Sequence, residues 1–137
     1  MKVLEFLIKE TGNENLNEET DLFNSGIVGD DFHDLMDKYW DTFKIDMKTY
    51  LWYFHCDEEG QNLGGLFIKP PYKRVERIPI TPKKLSEFVE FGKWNIKYPE
   101  HKLPKRRYDI IINQVLAAGF VILVLYKLIT WILIKLL

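Results

Sequence analysis

Apolar residues are distributed in two ways along the chain. Up to Pro104 they come in short clusters separated by charges, whereas from Val115 to Leu137 they run almost without interruption. That last run, VLAAGFVILVLYKLITWILIKLL, carries only Lys127 and Lys135 as charges. As an α-helix it would rise about 34 Å, enough to cross a hydrocarbon core of about 30 Å. It is apolar on all sides, unlike a helix that lays one face on a soluble core. The pattern predicts a membrane-spanning helix. Lys127, near mid-span, costs about 2.5–3.5 kcal/mol on insertion scales, and each Leu, Ile, Val or Phe returns a few tenths. The segment is still expected to insert, with the Lys127 ammonium snorkelling or facing a partner helix or a water defect. A span ending at Leu137 is expected to insert after translation. Lys2, Glu5, Lys9 and Glu10 exclude a secretory leader at the start.

The earlier clusters have helical spacing in three places. Val3, Leu4, Phe6, Leu7 and Ile8 predict a short first helix ending near Gly12. Residues 13–24 are polar and loop-like, with Leu16, Leu22 and Phe23 as anchors into a core. After a turn at residues 26–29, Asp30 or Asp31 is expected to cap a second helix. Its apolar face is Phe32, Leu35, Met36, Tyr39, Trp40 and Phe43. The stretch from Ile45 to Phe54 is short, apolar and aromatic, and leaves helix and strand open; its aromatic set is expected to be core. After a loop at residues 60–65, Leu66–Ile68 and Val75–Ile80 have the composition of short strands around Pro70-Pro71. Thr81 followed by Pro82 starts a third helix with Leu85, Phe88 and Val89 inward, and Gly92 stops it. Residues 94–104 read as an extended linker. The fold class is therefore mainly α: a small helical domain at 1–95, with room for a short β-hairpin, a basic juxtamembrane linker at 96–109 and a transmembrane helix at 110–137.

Charge sharpens this arrangement. Up to Gly60 there are 15 Asp/Glu against 5 Lys and no Arg, a net of −10; beyond it, 10 Lys and 4 Arg face 5 Asp/Glu, a net of +9. Lys102, Lys105, Arg106 and Arg107 lie just before the span and suit an anionic membrane surface. By the positive-inside rule that side is cytoplasmic. Tyr108 and Trp131 suit the two interfaces. The basic run is short and follows no nucleic-acid reader module, so nucleic acid is not an expected partner. Cys56 is the only cysteine, which leaves no internal disulfide and fits a cytoplasmic domain.

The segment TDLFNSGIVGDDFHDLMDKYWDTFKIDM, Thr20 to Met47, resembles acyl carrier proteins, in which a serine at the start of the second helix carries a phosphopantetheine arm. On that alignment Gly29 occupies the position of the serine, and Leu35-Met36 falls on the apolar pair of the helix. The chain is also similar to the carrier-like bacterial proteins of the domain-of-unknown-function 1493 family, in the turn from Gly26 to Asp31 and in the stretch from Pro79 to Trp94. The resemblance implies an acyl-carrier-like fold and a bacterial source, so the membrane expected is the bacterial inner membrane, and the positive-inside rule puts the N-terminal domain in the cytoplasm. Gly29 has no hydroxyl and Ser25 lies before the Gly-Ile pair, so no covalent arm and no cofactor are expected. The resemblance further implies that the acidic side of the second helix, Asp30, Asp31, Asp34, Asp37 and Asp41, docks a basic protein.

Other chemistry is poorly served. His55-Cys56-Asp57-Glu58 is the best cluster for metal or nucleophilic work, but adjacent residues on an extended chain point apart and chelate badly. The expectation there is a solvated loop with one partly buried thiol. Gly60, Gly64 and Gly65 lack the spacing of a phosphate-binding loop. The function expected is a non-enzymatic adaptor at a membrane. The alternative is an acyl-carrier or lipid-pathway accessory without covalent loading.

Overall fold

The computed structural model describes residues 2–137. Among them are four α-helices, α1 (Val3–Thr11), α2 (Gly29–Phe43), α3 (Pro82–Phe91) and α4 (Tyr108–Leu136), and three single 3₁₀ turns, Trp52–Phe54, Gly64–Leu66 and Pro71–Lys73. No strand forms among the described residues; the only β pairing is an isolated bridge between Asp46 and Lys93. The fold is thus mainly helical with one long apolar C-terminal helix. The chain divides into two compact units, residues 1–60 with 71–102, and residues 61–70 with 103–137.

In the first unit the sequence signals fix the helix ends. Gly12 ends α1 in the left-handed conformation, its N–H donating to the Ile8 carbonyl at 2.8 Å. The Thr81 hydroxyl accepts from the Lys84 N–H at 3.3 Å and Pro82 takes the first position of α3. α2 starts differently. Val28 precedes its first residue, Gly29, in extended conformation, and no side chain caps the helix. Asp30 and Asp31 are already inside the first turn, where they complement the helix dipole instead of capping.

The core of this unit joins Phe6 and Leu7 of α1, Phe32, Leu35, Met36 and Tyr39 of α2, and Leu85 and Phe88 of α3. Leu16 and Leu22 close it from the loop, as their pattern suggested. The buried Tyr39 hydroxyl donates to the Leu85 carbonyl at 2.7 Å, which ties α2 to α3 without leaving a polar atom unpaired. Arg77 grips the Asp21 carboxylate with both terminal nitrogens, at 3.1 and 2.6 Å, and lies over the Phe23 ring.

The packing of this unit changes two more expectations. Trp40 is not on the buried face of α2: half of it is exposed. The stretch after Gly92 is not an extended linker at its start. Trp94 is buried, and the Tyr98 ring packs against Phe54 at 4.7 Å between centroids.

In the second unit the expected strand at Leu66–Ile68 is a turn. Gly64–Leu66 winds as 3₁₀ helix, with Phe67 N–H bonded to the Gly64 carbonyl and Ile68 N–H to the same oxygen. Val75–Ile80 of the first unit makes two backbone bonds to other segments, Ile78 N–H to the Phe54 carbonyl and Leu22 N–H to the Ile80 carbonyl, and no ladder. Pro70-Pro71 and Pro79 remove donors that a hairpin would need. α4 starts at Tyr108, ahead of the apolar run, and extends over 29 residues.

Candidate protein-interaction face

His55 and Cys56 are both buried, so the segment that carries them is not a solvated loop. The 3₁₀ turn at Trp52–Phe54 folds it inward. Tyr50 stacks on the imidazole with 6° between ring planes and 5.7 Å between centroids. His55 Nδ1 lies 2.9 Å from the Ile78 carbonyl oxygen, which can only accept, so Nδ1 carries the proton. Nε2 is then an acceptor, and the Tyr98 hydroxyl donates to it at 2.7 Å. The Tyr98 oxygen in turn accepts from the Trp94 indole N–H at 2.8 Å and the Leu51 N–H at 3.2 Å. Burial lowers the His55 pKa to about 4, since the charged imidazolium is costly to desolvate. The Cys56 thiol is pushed up to about 11 by the same cause. A neutral imidazole with both nitrogens engaged and a thiol kept protonated hold a core together; neither is poised to attack or to shuttle protons. Among the described residues, no three His, Cys, Asp or Glu side chains converge to hold a metal ion.

Gly29 adopts φ +55°, and a Cβ built there would run into the Glu59 side chain. The backbone at Gly29 therefore suits glycine and resists a side chain. The Ser25 hydroxyl donates to the Leu22 carbonyl at 2.7 Å and so serves the turn.

The acidic residues of α2 are on the surface. Asp30, Asp31, Asp34, Asp37 and Asp41 are all exposed. At 3.6 residues per turn Asp30, Asp34, Asp37 and Asp41 form one row along the helix, with Asp31 to one side. Only Asp41 has an ion pair among the described residues, a 3.7 Å contact with Lys44 between two exposed chains, worth little. The flank of the row bears a feature that the periodicity concealed. Trp40 stands 50% exposed and, with Met36, Asp37, Asp46, Met47, Lys48 and Tyr50, lines a mainly apolar cleft of about 340 Å³. The Tyr50 hydroxyl is buried and has no hydrogen-bond partner. Tryptophan fits the sequence spacing of the buried face, and only the packing shows that the ring lies outside it.

Lys102, Lys105 and Arg106 are exposed. Arg107 is not available in the same way. Its guanidinium binds Asp109 through Nε at 3.0 Å and Nη2 at 2.6 Å, which neutralises its charge locally. α4 is long and apolar enough to cross a membrane, and no part of its apolar window is buried in the protein. The chain matches no protein-family profile, no curated protein and no solved structure.

Proposed function

We propose that this chain is a non-enzymatic adaptor, tethered by α4 to a membrane, that recruits a basic protein through the acidic face of α2. The observation that carries the reading is the row Asp30, Asp34, Asp37 and Asp41 beside the half-exposed Trp40 and its apolar cleft. Exposed carboxylates steer a basic partner and set its orientation. An exposed tryptophan next to an apolar cleft supplies the anchor on which binding energy concentrates. The exposed Lys102, Lys105 and Arg106 support a cytoplasmic position for the preceding domain. The resemblance to carrier-like bacterial proteins extends that to the bacterial inner membrane and to a carrier-like domain with no phosphopantetheine. The second reading, an accessory that holds acyl chains without covalent loading, draws on the apolar cleft.

The test is photo-crosslinking in native membranes from a reactive amino acid placed at Trp40. A discrete protein adduct is expected, and Asp34→Lys with Asp37→Lys should reduce it at least tenfold. An adduct indifferent to that reversal, or one formed with lipid, would remove the adaptor reading; the lipid adduct would support the second. Incubation with coenzyme A and a promiscuous phosphopantetheinyl transferase should leave the mass of the chain unchanged.

A further inference from the structure

The second unit holds an exposed apolar surface at the start of α4. The turn at Gly64–Leu66 is fastened to the first turns of this helix by a closed set of side-chain bonds. Asn62 and Asn113 face each other, the Asn113 amide donating to Asn62 Oδ1 at 2.9 Å. Asn113 Oδ1 accepts from the Gly64 N–H at 2.7 Å. The Asn62 amide donates to Asp109 Oδ2 at 2.9 Å, and its Oδ1 also accepts from the Gly65 N–H at 2.8 Å. Asp109 is buried and holds Arg107 as well. Gly64 sits so close to α4 that a Cβ would strike the Asp109 backbone carbonyl.

This much hydrogen bonding fixes a turn whose outward side chains are apolar. Leu63 is 51% exposed, Leu66 80% and Phe67 74%. A soluble protein gains nothing by fastening three such side chains into water. The fastening points, Asp109 and Asn113, lie within about 9 Å of Val115 along the helix axis at 1.5 Å per residue. The turn is thus level with the approach to the apolar run, at the depth where headgroups meet acyl chains. Lys105 and Arg106, exposed in the same unit, precede that level. We infer that the Leu63–Phe67 turn is a second membrane contact, inserting Leu66 and Phe67 into the interfacial layer of an anionic bilayer beside α4. The inference rests on α4 spanning the membrane. Continuity with that span favours lipid as the occupant over a second copy of the chain.

The test uses the full chain with Cys56→Ala, reconstituted in phosphatidylcholine–phosphatidylglycerol vesicles. A single cysteine, from Phe67→Cys, Leu123→Cys or Thr42→Cys, carries an environment-sensitive fluorophore, and lipids spin-labelled at the headgroup or along the acyl chain quench it. The expected result is strong quenching at position 67 by the shallow label, deep quenching at 123 and none at 42. Adding Asn113→Ala should cut the quenching at 67 at least threefold and leave 123 as it was. If 123 is quenched and 67 is not, the turn is not a lipid contact and the span stands. If 67 is blue-shifted but unquenched, a protein surface covers it and the inference falls. Absence of quenching at 123 removes the span and this inference with it.

Discussion

His55 takes its charge state from the groups packed around it. Nδ1 donates to Ile78, Nε2 accepts from Tyr98, and the ring is 1% exposed. With the folded pKa lowered to about 4 against the ordinary 6.5, the unfolded chain binds the extra proton first as pH falls. The contribution of His55 to stability is therefore complete above pH 6.5 and declines toward pH 4, by up to about 1.4 kcal/mol per pH unit. Urea denaturation of the chain in detergent, run between pH 4 and 7, should show that slope, and a His55→Phe variant should flatten it. Tyr98→Phe strips partners from His55 Nε2, Leu51 N–H and Trp94 Nε1 at once, at a cost on the order of 3 kcal/mol. Cys56 answers to the same burial. A thiol moved from 9.0 to about 11 holds roughly a hundredth of the ordinary thiolate at pH 8. Alkylation in the folded chain should be slower by at least that factor and should recover in denaturant; rapid labelling without denaturant would contradict the buried placement.

At the scale of elements, the ends of α1 and α3 were legible because single residues decide them. Gly12 and Gly92 supply left-handed backbone, and Thr81-Pro82 supplies a cap and a fixed first φ. The start of α2 was less legible, since an aspartate near a helix start can cap or lie one turn in, and the choice depends on the backbone at Val28. The turn at Gly64–Leu66 was not legible at all. Leu66-Phe67-Ile68 has strand composition, and what overrides it is the approach of α4, a partner about fifty residues away in sequence. The candidate site was legible in part: the aspartates of α2 are exposed, whereas Trp40 obeys the spacing of the buried face and still lies outside it. Gly64 gives the turn its own test. A methyl group there meets backbone, which cannot swing aside as a side chain would. Gly64→Ala is expected to detach the turn and raise hydrogen exchange at the Gly64 and Gly65 amides at least tenfold, while Gly65→Ala, which meets only the Asn62 side chain, should do less.

For the whole molecule the opposed charge of the two halves becomes a matter of topology. The acidic part, net −10 up to Gly60, is repelled by an anionic leaflet, and the basic part leads into α4. Arg107 is committed to Asp109, so in the proposed topology the positive-inside signal rests on Lys102, Lys105 and Arg106. Reversing those three to Glu removes the retained charge on that side and leaves the Arg107–Asp109 pair and the Asn62–Asn113 fastening intact. The reversed chain is expected to insert still, because the apolar run of α4 is unchanged, but in mixed orientation. Impermeant labelling of a cysteine at Thr42, in a Cys56→Ala background, reads the two populations in intact membrane vesicles. A single orientation that survives the triple reversal would mean that the folded domain, not its basic flank, sets the topology. Loss of membrane association would instead mean that α4 depends on those charges to insert, and that the length and apolarity of the helix are not enough.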